Sequence, residues 1–247
     1  MRSLILGTLA SAAVFGLSPA PAHAGSFSVT PLRVELSPQA RTGALTIRNQ
    51  QDTPVVVQAE GVLWEQASGE DRLSPTRDVL ISPAVFTLPA SGSQLVRVAL
   101  RRPADAQREL SYRLILTEVP GQPDPSFTGL SVALRLSLPI FVEAVTPARP
   151  QLEWSAVHAA DGALAITARN AGNAHARVLS FTVAPAAGPG KPLDQRVAAY
   201  ILPGQSRTWT LGDNKNDGTS GSDWRRLRVK GSTEAGDFEV EASLDGQ

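Results

Sequence analysis

The sequence predicts an all-β chain built as two tandem sandwiches. Three observations carry that expectation. Apolar and polar residues alternate with period two or form short Val/Leu/Ile runs, turn formers fall between the runs, and beyond the first 24 residues no long window shows an i, i+3, i+4, i+7 apolar stripe.

The chain opens on Arg2, an apolar run from Leu4 to Leu17 and a small-residue stretch ending Ala22-His23-Ala24. A basic start, an apolar stretch and an A-x-A ending read as a secretory signal peptide over residues 1–24. The apolar run is shorter than the roughly 18 to 20 residues that span a bilayer, and no comparable run recurs downstream. The expectation is an exported protein without stable membrane insertion, starting near Gly25.

Removing residues 1–24 takes away Arg2 and no acid, so 23 bases become 22 against 23 acids, a net charge of minus one. Such neutrality argues against nucleic acid as a partner. There is no cysteine, so each domain must hold together by its apolar core even where disulfides are permitted.

The first series of expected strands runs through Phe27 to Leu36, Ala44 to Arg48, Val55 to Trp64, Gln94 to Leu100, Ser111 to Val119 and Leu130 to Val142. Between them lie Ser37 and Pro38, Gln51 to Pro54, Ala67 to Glu70, Pro89 to Gly92 and Gly121 to Pro125, all turn chemistry. A second series follows Thr146 to Pro150: Leu152 to Ser155, Ala163 to Arg169, Ala176 to Val183, Arg196 to Ile201, Ser206 to Leu211, Trp224 to Val229 and Phe238 to Ala242. Short strands at this spacing suggest sandwiches. The expected boundary falls near Pro147, giving domains over 25–146 and 147–247.

The halves echo one another. Thr46-Ile47-Arg48-Asn49 stands against Ala168-Arg169-Asn170, and Leu88-Pro89-Ala90-Ser91-Gly92 against Leu202-Pro203-Gly204-Gln205-Ser206. Either one plan is used twice, or strand–turn–strand chemistry simply recurs, as it does in any β-protein.

Little of the sequence points to catalysis or metal binding. Asp213, Asp217 and Gly218 fall at the first, fifth and sixth positions of a calcium loop, but Lys215 repels a cation and Trp224 replaces the bidentate acid. Gly212 to Asp223 therefore reads as a solvated, mobile loop. His158 and His175 are the only histidines after residue 24, too few for an ordinary zinc or copper site. There is no G-x-S-x-G elbow, phosphate-cradling loop or dinucleotide fingerprint. The expectation is a binding protein, not an enzyme, without cofactor or metal.

The most informative segment is Leu130 to Val142. Leu130, Val132, Leu134, Leu136, Leu138, Ile140 and Val142 share one face of an extended strand, with Ser131, Ala133, Arg135 and Ser137 on the other. One reading places the whole strand in its own core; the other has its first part offer apolar side chains to a partner. Pro139 blunts only the far end, and Gly121, Pro123, Pro125 and Gly129 make the approach a non-helical loop. A loop leading into such a strand suits β-augmentation.

At this point the residues resemble the periplasmic pilus-assembly chaperones of the chaperone-usher pathway, the PapD-like family. The likeness lies in Arg33-Val34-Glu35-Leu36 followed by Asn49, in Ile81-Ser82-Pro83 with Phe86-Thr87-Leu88-Pro89 and Gln94-Leu95-Val96-Arg97-Val98, and in Glu109, Tyr112-Arg113 and Glu118-Val119-Pro120. It implies two immunoglobulin-like β-sandwich domains, a periplasmic location, and donor-strand complementation of pilin-type subunits in one-to-one complexes delivered to an outer-membrane usher. It further implies that Leu130, Val132, Leu134 and Leu136 enter the subunit, and that Arg33 binds its terminal carboxylate. Pro139 stands where the family carries a second basic residue, and Glu143 where it carries an arginine tying the domains. The ending Ser137-Leu138-Pro139-Ile140-Phe141-Val142 resembles the archaic branch. A self-capping dimer would cover the apolar strand of the free protein. The competing reading is a secreted immunoglobulin-like adhesive or structural module.

The intact mass of the exported protein should match a chain beginning at Gly25. A mass retaining residues 1–24 would show that the leader is kept.

Overall fold

The computed structural model describes residues 27–121, 132–158, 163–187, 190–211 and 226–244. Among the described residues every regular element is a strand. The first half contains β1 (Phe27–Thr30), β2 (Val34–Leu36), β3 (Thr42–Asn49), β4 (Val55–Ala67), β5 (Glu70–Pro75), β6 (Val79–Ser82), β7 (Val85–Leu88), β8 (Ser93–Leu100), β9 (Leu110–Val119) and β10 (Arg135–Val142). The second contains β11 (Leu152–His158), β12 (Leu164–Asn170), β13 (Ala176–Pro185), β14 (Leu193–Ile201), β15 (Ser206–Leu211), β16 (Arg226–Thr233) and β17 (Gly236–Leu244).

In the first half a sheet ordered β1-β3-β8-β6 faces a sheet ordered β2-β10-β9-β4-β5, with β7 also paired to β4. Strict alternation drives the packing. In β4, Val55, Val57 and Ala59 point inward while Val56, Gln58 and Glu60 point out. These residues join Ile47, Val96, Val98, Leu114, Leu116 and Ile140, all buried, in one core between the sheets. The tyrosine of the 112–113 pair is fully buried, and its hydroxyl donates to Asp78 at 2.9 Å. Burial pushes that phenol's pKa up, and the hydrogen bond and charge of Asp78 push it further.

The continuous run expected from Phe27 to Leu36 is broken. Pro31 separates β1 from β2, and the two lie in different sheets. Proline supplies no N–H for a ladder, so the chain changes sheets there. The strands β5, β6 and β7 did not stand out in the sequence pattern. β5 is exposed along nearly its whole length, so it has no buried face to write an alternation. The turn expected at Ala67 to Glu70 is a tight hairpin, with Ser68 and Gly69 both at positive φ.

The second half is one hydrogen-bonded path, β14-β13-β16-β17-β11-β12-β15, wrapped around a core of Trp154, Ile166, Val178, Phe181, Val183, Ile201 and Val229. The result is two immunoglobulin-like β-sandwiches in tandem.

The sequence echo has a physical basis. Asn49 and Asn170 are both fully buried at the ends of β3 and β12. The Asn49 amide donates to the Thr53 and Pro89 carbonyls at 2.7 and 3.0 Å, and its oxygen accepts from the Gln51 N–H. The Asn170 amide donates to Ala174 and Ile201 at 2.7 and 3.0 Å, and its oxygen accepts from the Gly172 and Gln151 N–H groups. Behind each, the loop closes alike: Asn49 N–H to Gly92 and Gly92 N–H to Pro89, against Asn170 N–H to Gln205 and Gln205 N–H to Leu202. The same stitch therefore fastens the same corner in both sandwiches.

Replacing either asparagine with alanine strands buried carbonyls and an N–H. Asn49→Ala and Asn170→Ala should each lower stability by roughly 2–4 kcal/mol, read from urea unfolding midpoints. Midpoints within error of the wild type would show the corners hold without the stitch.

Candidate functional site

The strand β10 has two edges and two faces, each with its own role. One edge pairs antiparallel with β9 along its whole length, from Arg135↔Thr117 to Val142↔Leu110. The other pairs with β2 only from Ile140 to Val142. A bond from the Glu118 N–H to the Leu134 carbonyl, 2.8 Å, sets the phase of the ladder. Even-numbered residues turn their backbone groups to β9, and odd-numbered ones turn theirs to the opposite edge. The backbone groups of Arg135 and Ser137 thus lie on an edge that has no strand beside it among the described residues. Pro139 also faces this edge, where its missing N–H costs the β9 ladder nothing.

The faces divide similarly. Leu138, Ile140 and Val142 are buried in the first core, while Leu134 and Leu136 are half-buried at its margin. Val132 is 57% exposed. Leu130 lies outside the described residues, as do the 212–223 loop and its calcium-like pattern. The apolar face is therefore spent inside the sandwich at one end and open at the other. The start of the strand is held by Glu118, whose carboxylate accepts from the Leu134 N–H at 3.1 Å.

The opposite face turns toward the second sandwich. Phe141 meets Trp64 of β4, Tyr200 of β14 and Leu202 in a separate buried cluster. The His175 ring stacks on Phe141 with centroids 3.6 Å apart. Arg113 lays its guanidinium over the Trp64 ring, 3.5 Å from the centroid, and burial lowers its pKa. Gln66 is buried with both ends used: its amide donates to the Tyr200 carbonyl and its oxygen accepts from the Leu202 N–H.

Among the described residues, Glu109 and Arg33 make charged contacts that cross between the sandwiches. Glu109 accepts from the backbone N–H of His175 at 3.1 Å and meets its ring Nδ1 at 2.8 Å. Arg33, just before β2, reaches Glu35 at 2.8 Å and Glu234, in the β16–β17 turn, at 2.6 Å. Arg177 of β13 holds the other oxygen of Glu234 at 2.7 Å. Glu143 is exposed, so the halves are tied through these residues.

Of the residues expected to act, only Leu136 falls on the open part of β10, because the strand begins at Arg135 and not at Leu130; Val132 and Leu134 lie in the non-strand segment leading into it, while Arg33 lies across the junction on the second sandwich's carboxylate. The sequence reading did not single out Arg177, Glu234, Trp64, Gln66 or Tyr200, and treated His175 only as a failed metal ligand. Each of these draws its role from a partner between 49 and 201 residues away, so no local spacing marks it.

The chain matches the family model described as Pili and flagellar-assembly chaperone, PapD N-terminal domain, over residues 26–147. No curated protein sequence matches it. Among solved structures, it is similar to a chain of the CsuC–CsuE chaperone–tip adhesion subunit pre-assembly complex from archaic chaperone-usher Csu pili of Acinetobacter baumannii. That match has a TM-score of 0.65 and 18% identity, covering 90% of this chain and 100% of the other. A chain of the Salmonella enterica SafA pilin–SafB chaperone complex gives 0.60 at 18% identity, over 91% and 99%. The E. coli chaperone DraB gives 0.58 at 20% identity, over 90% and 97%. At such identities the likeness is one of fold.

The junction should respond to acid. Burial alone would raise the Glu234 carboxyl, but the hydrogen bond from Arg177 and the charge of Arg33 outweigh it and hold the pKa below the usual carboxylate value. The unfolded chain then takes up this proton first as pH falls. The stabilisation is whole above the ordinary Glu value of about 4.3 and is lost as pH drops through the lower folded-state value. Between about pH 5 and pH 3, urea midpoints of the wild type should fall more steeply than those of Glu234→Gln. Parallel slopes would remove Glu234 as the source.

Proposed function

Because the chain belongs to the PapD-like family of pili and flagellar-assembly chaperones, we propose that it holds a pilin-type subunit by lending it β10 as a missing strand. Membership of a chaperone family gives it a binding role and not a catalytic one. The observation that carries the strand reading is the unpaired edge of β10 at Arg135 and Ser137, beside the half-buried Leu136 and continued by a lead-in segment in which Leu134 is half-buried and Val132 exposed.

An incoming edge finds backbone donors and acceptors already aligned, and the alternate side chains Leu130, Val132, Leu134 and Leu136 supply the apolar contribution. Full burial of one such side chain is worth roughly 1.5–3 kcal/mol, less the cost of ordering the partner. The half-buried members contribute part of that, because their own sandwich already covers them in part. Arg33 sits at the junction and suits the subunit's terminal carboxylate, since a guanidinium fork binds a carboxylate with two parallel bonds. The archaic ending of β10 and the fold likeness to the Csu complex support placing the chain in that branch. Export to the periplasm, delivery to an outer-membrane usher and a self-capping dimer that covers the open edge in the free protein belong to the same reading. The adhesive-module alternative is not favoured, since the family is one of assembly chaperones.

Co-expression in a periplasm with a pilin from the same operon should give a soluble one-to-one complex with the wild type. Val132→Glu and Leu134→Glu should fold yet lose the subunit to aggregation, because each charge would have to enter an apolar groove. Variants that hold the subunit as well as wild type would reduce β10 to an ordinary strand of its own core.

A further inference from the structure

We infer that Glu234 is an internal stand-in for a partner's terminal carboxylate, and that Arg177 is the second cation of the seat it occupies. This rests on the reading of Arg33 as the carboxylate-binding residue.

The geometry is that of a filled anion site. One carboxylate is gripped on separate oxygens by two arginines from different sandwiches, Arg33 at 2.6 Å and Arg177 at 2.7 Å. Without an anion between them the two guanidinium groups would repel, so an empty seat favours an incoming carboxylate. Exchanging Glu234 for an incoming carboxylate leaves the local charge unchanged. Pro139 supplies no cation on β10, and the second sandwich supplies Arg177 instead.

Glu234 is placed so that it can leave without unfolding its turn. Its backbone N–H donates to the Arg177 carbonyl at 3.2 Å, and the Thr233 hydroxyl closes the turn onto the Gly236 carbonyl at 2.9 Å. Gly236, at φ +123°, takes a conformation other residues rarely adopt. The backbone is fixed, so rotation of the side chain alone frees the seat.

Beside the seat lies a cavity of about 510 Å³ lined by Leu152, Trp154, Arg177, Glu234 and Phe238. Arg177 Nε and Trp154 Nε1, on two of the lining residues, are buried and have no hydrogen-bond partner among the described residues. Trp154 and Phe238 stack with centroids 5.2 Å apart and offer an apolar wall. Carboxylate seat and aromatic wall together fit the last residue of a polypeptide with an apolar side chain.

The test is an NMR titration of the full exported chain with N-acetylphenylalanine, its amide and acetate. Removing the internal competitor in Glu234→Gln should tighten N-acetylphenylalanine binding about tenfold over wild type. The amide should show no saturation, acetate should bind more weakly, and adding Arg177→Gln should cancel the gain. Glu234→Asp, with its shorter reach, should give a smaller gain and serves as the measurement if the glutamine variant does not fold. Equal affinity in wild type and both variants would overturn the proposal, as would binding of the amide or acetate as tight as that of the acid. The titration uses no subunit and does not involve the donor edge. A failed seat and a failed donor edge are thereby told apart.

Discussion

Everything in the molecule is arranged around the period of two in a single strand, β10. Its even side chains Leu138, Ile140 and Val142 complete the first core, and Phe141 on the opposite face meets the second sandwich. The same alternation sorts its backbone, with one set of groups bonded to β9 and the other facing β2 or an open edge. Slipping this strand by one residue would exchange core for junction along its whole length, so its register is fixed from both sides. A strand with only one of these obligations could slide.

The junction between the sandwiches is held by contacts of different kinds. A small aromatic cluster excludes water, and Gln66 satisfies the backbone of Tyr200 and Leu202 inside it. Around it lie charged groups with bonding partners, Glu109 on His175 and Glu234 between Arg33 and Arg177. The apolar part gives adhesion and the polar part gives orientation, since a buried amide or an arginine fork accepts only a narrow range of angles.

The fold was legible where burial is one-sided. Strands such as β4 and β8 wrote their alternation into the sequence, and the paired asparagines and Leu-Pro corners announced the repeated plan. What escaped was written elsewhere. β5 is solvated along its length, and β6 and β7 are only four residues each, too short for a period to emerge. The apolar half of the site was readable because Leu130 to Val142 is local. The charged half was not, because Glu234 gains its meaning from Arg33, 201 residues away. The family resemblance drew attention to Arg33 and to a missing second cation, but not to the residue from the other sandwich that stands opposite it.

Pro139 faces the same edge of β10 as Arg135 and Ser137 but is itself buried, immediately before the strand passes under the cover of β2. It offers a carbonyl there and no N–H, and the next residue along is already engaged. An added strand can therefore advance along β10 only until it meets this residue. The proline acts as an end stop, and the distance back from it to the start of the strand is a ruler. On the proposed donor-strand reading, a chain laid on this edge would be measured from a fixed zero, and the surface would read length.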